Sequence, residues 1–242
     1  MEMDLGRITN PLRLAKGSHQ PGSGKGCAMN VISYINGDAH VTDFPTCSAH
    51  PLSVLVQACN DLLAGPDGYL SPENAVLALE LAWQTVGTAD VAGAVVHAWL
   101  AEMLTNPTWG VLKFARITAV KAILDIAELH RAAASGDMPS VAAWDAADRV
   151  SRAINTHPIT AGGYALRAAY ESTTAAGAVW LTADQVALYA MNAYALAAEN
   201  ATSREIVEFT RQAIRSWREL AGLDSTGAST QSPQDRELQL QA

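Results

Sequence analysis

Residues 182–220 read TADQVALYAMNAYALAAENATSREIVEFTRQAIRSWREL, and the punctuation of this stretch decides the fold class. Thr182 to Gln185 and Thr202 to Glu205 both match the Ser/Thr-x-x-Glu/Gln capping box, in which side chain and backbone at a helix start satisfy each other's orphan donors. After the second box, Ile206, Phe209, Ala213, Trp217 and Leu220 recur at helical spacing and line one face. The stretch therefore predicts helices over 183–199 and 203–221.

The same grammar extends toward the N-terminus. Helices are expected at about 160–178, 139–155, 108–134 and 90–104, with Gly136 ending one and Pro139 starting the next. Ser71-Pro72-Glu73 opens another, closed by Gly87, whose stripe of Val76, Leu79, Trp83 and Val86 is expected to face the core. Pro51 suits a first helical turn and that helix is expected to stop before Gly65-Pro66. From Cys27, Met29, Ile32 and Ile35 mark a short helix stopped by Asn36-Gly37.

No alternating β-branched and aromatic run bounded by hairpin turns occurs, so the class is all-α. Alanine is abundant from 92 to 201, and small side chains let helix axes approach closely, which predicts a compact antiparallel multi-helix bundle. Residues 1–26 carry Pro11, Pro21 and several glycines and read as an irregular arm, while 222–242 lose large apolar residues until Leu238 and read as a disordered tail. The expected division is an N-terminal arm and Cys/His segment over 1–65, a helical body over 66–221 and a tail over 222–242.

Composition sets limits on function. Hydrophobic residues make up 49% of the 242 and charged residues 17%, enough apolar material for a real core. A net charge of -8 with 16 Lys and Arg argues against nucleic acid as a partner, because that affinity rests on neutralising phosphates. The most apolar window, Val91 to Leu104, is shorter than the roughly 20 residues needed to cross a bilayer. Three cysteines and no secretion signal point to a cytoplasmic protein with reduced thiols.

The chemistry-bearing residues concentrate in one place. His19, Cys27, His40, Asp43, Cys47 and His50 put six possible metal ligands into 32 residues. Cys27, Cys47, His50 and His40 are the expected ligands of a structural zinc, since thiolate and imidazole suit its tetrahedral shell and a metal would staple a loop-rich segment. The alternative uses Cys27 as a nucleophile with His40 or His50 as base, its thiol activated at a helix start. Gly22 to Gly26 superficially resembles a phosphate loop but lacks the first glycine and the hydroxyl after the lysine. His97 and His130 stand alone in helices, and the tryptophans are spread over separate helices, as in core packing.

Gly26-Cys27-x-Met29, Ser33-Tyr34, Gly37, Asp43-x-Pro45-x-Cys47, Pro51 and Asn60-Asp61 form a signature over 18–65. It resembles the N-terminal signature of an uncharacterised family of actinobacterial and actinophage proteins, in which an alanine-rich helical region often follows. Members often carry glutamate where this chain has Asn30 and Asp38. The resemblance implies a source and no mechanism. Together these readings predict a non-enzymatic accessory or interaction protein that binds a partner protein, with a phage-encoded source implied by the resemblance and its oligomeric state left open.

Overall fold

The punctuating residues act largely where they stand in the sequence. In the computed structural model, which describes residues 13–17, 19, 23–197 and 203–224, nine α-helices carry almost all the regular structure. They are α1 (Ala28–Asn36), α2 (His50–Leu63), α3 (Pro72–Gln84), α4 (Gly93–Thr105), α5 (Ile117–Ala134), α6 (Val141–Ile154), α7 (Ala161–Ser172), α8 (Ala175–Ala197) and α9 (Ser203–Leu220). The fold is all-α. Most of the expected arm, the Thr202 half of the second capping box and positions 225–242 of the expected tail lie outside the described residues.

The part of the arm that is described departs from the expectation of irregular chain. Arg13–Leu14 (β1) pairs in parallel with Lys25–Gly26 (β2), the one sheet among the described residues. Two residues per strand are too few to register as a period in sequence.

Caps explain most boundaries. Gly37 ends α1 in the left-handed region at φ 78°, where a residue without Cβ is unstrained. Ser71 accepts from the Asn74 N–H ahead of Pro72 in α3. Ser140 does the same for Ala143, so α6 begins at Val141 and Pro139 lies outside it. The expected 108–134 helix is in two pieces, a 3-10 turn at Val111–Phe114 and then α5. Asn106 folds its carboxamide oxygen onto the N–H of Thr108 ahead of the break, and Ala115 and Arg116 are extended.

Two expectations are corrected here. Thr182 does not open a helix; it stands buried inside α8. The break falls at Thr173-Thr174, whose hydroxyls donate to the carbonyls of Tyr170 and Glu171 and end α7 by competing with its ladder. The α3 stripe is also split: Leu79 and Val86 are half-buried against the core as expected, but its other two members face outward. Val76 is 56% exposed and Trp83 59%, while Ala78, Leu81 and Ala82 are buried. Ala78 and Ala82 share the core face with Leu81, and the two small side chains let α3 lie close against α1, α2 and α9.

α8 packs most extensively on α7 and also on α2 and α4, and α4 lies along α5. The buried apolar cluster runs without interruption from Leu14, Cys27 and Met29 to Phe209, Ile214 and Trp217, so the N-terminal segment and the helical body share one core. Trp99 and Trp217 meet edge to face at 5.2 Å within it. No helix among the described residues is long and apolar enough to cross a membrane.

Candidate functional site

The N-terminal signature folds into a hydrogen-bonded clasp around the start of α1. Cys27 is the N-cap of α1, and its N–H donates to Asn30 Oδ1 at 2.9 Å. Asn30 Nδ2 then donates to Asp43 Oδ1 at 2.8 Å, and the Cys27 thiol points at the same oxygen at 3.4 Å. Gln57 of α2 holds the Asp43 carbonyl at 2.7 Å. On the far side, Asn60 of α2 accepts from the Ala28 N–H at 3.3 Å and donates to the Ala15 carbonyl at 2.9 Å, tying α1 and β1 to α2 through one buried amide.

A second knot closes the loop after α1. Asp38 accepts from Ser33, Asn36 and Thr46, three donors that hold its carboxyl below the usual range. Ser33 also takes the Thr42 N–H at 3.1 Å. Beyond it, the Cys47 carbonyl accepts from Gly87, Ser48 meets Thr85 at 2.7 Å and Thr88 accepts from Ala49, which fastens residues 47–49 to the end of α3.

The residues expected to carry chemistry are distributed through this clasp and are not gathered at one point. Cys27 is buried, and burial followed by the Asp43 charge pushes its thiol up to about 12, which outweighs the lowering effect of the helix start. Cys47 is half-buried beside Ser48, its sulfur 3.9 Å from that hydroxyl. The exposed His40 contributes its carbonyl, which accepts from Ser33. His19 lies 3.1 Å from the Ala15 carbonyl.

His50 is half-exposed, stacks flat on Phe44 at 3.8 Å and reaches Asp184 of α8 at 2.5 Å. Burial raises the Asp184 carboxyl and His50 opposes that rise, while Asp184 Oδ1 is buried without a partner. Among the described residues, no group of three or more His, Cys, Asp and Glu side chains is placed to hold a metal ion. Cys27, Cys47, His40 and His50 as they stand do not fit a tetrahedral zinc shell.

Sequence reasoning missed a polar network in the core. His97 of α4 and His130 of α5, expected to stand alone, meet Nδ1 to Nδ1 at 2.9 Å, and His130 Nε2 reaches Ser172 of α7 at 2.8 Å. Ser172 in turn donates to the Ala169 carbonyl at 2.6 Å. With that hydroxyl proton committed, His130 donates from Nε2 and accepts at Nδ1 from His97, so the His130 ring is neutral. Trp144 packs across both rings. The separation of 33 positions between the two histidines hides the pairing, because only the tight packing of α4 on α5 creates it.

No protein-family model matches this chain, and neither does any curated protein or solved structure compared with it.

Proposed function

We propose that the chain is a non-catalytic helical accessory protein, of actinobacterial or actinophage type, that docks a partner protein through the apolar side of α3 and the adjoining end of α1. The observation that carries this reading is the outward turn of Val76 and Trp83, with a fully apolar alternative face of α3 already buried. Ile35 at the end of α1 is 58% exposed and Phe44 is 37% exposed in the loop that follows. The bonds from Asn36 to Thr46 and from Gly87 to Cys47 bring the ends of α1 and α3 to this same loop. A large exposed indole with apolar neighbours is the usual anchor of a protein interface.

The clasp supports this by holding the loop and both helix ends in one shape. A thiol held near 12 is protonated at neutral pH, which disfavours Cys27 as a nucleophile and favours a structural role. A photo-crosslinking side chain placed at Trp83 is expected to give a discrete adduct in cells expressing the protein, and the same group at the exposed Lys121 is not. Equal labelling at both positions, or none at Trp83, would overturn the reading. Fast thiol modification at Cys27 would restore the enzyme alternative, and about one equivalent of tightly held zinc by elemental analysis would replace the hydrogen-bonded clasp with a metal-held one.

A further inference from the structure

The last turns of α8, the start of α9 and the 3-10 turn enclose a second feature, unrelated to the clasp. Trp109, Phe114, Tyr194 and Phe209 wall an open cavity of about 280 Å³. Phe209 lies on Tyr194 at 4.0 Å and 22°, and Phe114 stands edge-on to Tyr194 at 4.9 Å and 85°. The Tyr194 hydroxyl donates to the Trp109 carbonyl at 2.7 Å, which fixes that ring. Trp109, Tyr194 and Phe209 are nearly buried, so these walls are part of the core and are formed before any ligand arrives.

The mouth of the cavity carries charge. Thr108, Lys113, Glu205, Glu208 and Gln212 line it. Glu208 is answered on its own helix by Arg211 at 2.8 Å and Gln212 at 2.6 Å. Among the described residues Glu205 has no ion pair, although it acts on both Lys113 and Tyr194 through space. Lys113 places its ammonium 4.5 Å from the Tyr194 centroid and 5.2 Å from that of Phe114, and donates to the Thr108 carbonyl at 3.1 Å. The chain's own primary ammonium thus lies over two aromatic rings with a carbonyl acceptor, in the field of the Glu205 carboxylate.

We propose that this cavity binds a free aliphatic amine of the polyamine class, and that Lys113 is its internal stand-in, swung out to solvent when the amine enters. The incoming ammonium takes over the ring faces, the Thr108 carbonyl and the field of Glu205, while its methylene chain lies against Phe114 and Phe209. Lys113 is exposed on a short 3-10 turn, so its release disturbs no packed element. The volume is at the small end for ligand sites, which suits a linear amine better than a ring system.

Titration calorimetry of the full chain with spermidine and putrescine at about 0.15 M salt tests this, since non-specific attraction to an acidic protein is then largely screened. Lys113→Ala removes the internal competitor and is expected to tighten binding about tenfold, as when a binding-competent state rises from a tenth of the population to all of it. In the Lys113→Ala background, Glu205→Gln is expected to weaken spermidine at least fivefold, and Glu219→Gln, which does not line the cavity, to leave it unchanged. Tetramethylammonium, which has no N–H for the Thr108 carbonyl, and 1-butanol, which has no charge, are expected to bind at least fivefold more weakly. Absence of binding by both wild type and Lys113→Ala, equal losses in Glu205→Gln and Glu219→Gln, or equal affinity for tetramethylammonium or butanol would each overturn the proposal. Both cavity variants alter exposed side chains, and circular dichroism confirms their folding.

Discussion

The amide of Asn30 takes the Cys27 N–H on one side and gives its own N–H to Asp43 on the other. A carboxylate could perform the first task and not the second, and would set two negative oxygens against each other. Asn30→Asp is therefore expected to lower stability by about 1–3 kcal/mol at neutral pH, with part of the loss recovered as pH falls through the carboxylate range and a protonated oxygen can donate again. Urea unfolding at two pH values measures it.

The core histidines give a second prediction at the same scale. Burial holds both His97 and His130 below the usual histidine value, and the neighbouring His97 lowers His130 further. The unfolded chain thus binds more protons than the folded one once pH drops below about 6.5. Stability from the pair is complete above that value and is lost as pH falls, at up to about 1.4 kcal/mol per pH unit for each ring until its folded value is reached. Chemical denaturation of wild type and His130→Gln between pH 8 and pH 5 should give a difference that narrows on acidification. A constant difference would mean that the rings titrate alike in the folded and the unfolded chain.

At the scale of elements, α3 separates surface from core tryptophan. Trp83→Ala is expected to change stability by no more than about 0.5 kcal/mol, because the indole is mostly in solvent. Trp99→Ala is expected to cost about 3–5 kcal/mol, since it empties a fully buried site and removes the indole N–H bond to the Ala213 carbonyl. Thermal unfolding of the two variants distinguishes them. The helices themselves were legible wherever a local residue sets the boundary: Gly37 after α1, Pro51 in α2 and Ser71-Pro72 before α3 act as their chemistry dictates. That Val76 and Trp83 would turn outward was not legible for α3, because alanines lose to Val and Trp in any reckoning of hydrophobicity and win only when a neighbouring helix comes close. The α7–α8 break was misplaced for a related reason, as Thr182 offered a cap signal that burial inside α8 overrode. In the clasp, the chemical residue types were visible in sequence, but whether they converge depends on directions that only the folded loop fixes.

Over the whole molecule, one apolar cluster joins residue 14 to residue 217, so the clasp and the body are expected to unfold together. Tryptophan fluorescence and far-UV dichroism should report the same urea midpoint, and separate midpoints would make the N-terminal segment an independent unit. The connections that close this cluster are long in sequence. His50 reaches Asp184 across 134 residues, Trp217 donates to the Thr88 carbonyl across 129, and Arg218 grips the carbonyls of Gln84 and Val86 from the other end of the chain. During translation, then, α1 to α3 leave the ribosome long before their covering helices exist, with Leu52, Leu55 and Leu81 still in water. A force-sensing arrest sequence fused at successive lengths should register its main pulling event only after α9 has emerged. The nascent chain must be kept soluble until then by its own acidity or by chaperones, and a stop codon placed just before α9 should yield aggregate in place of a slightly weakened protein, whereas one placed just after residue 224 should not.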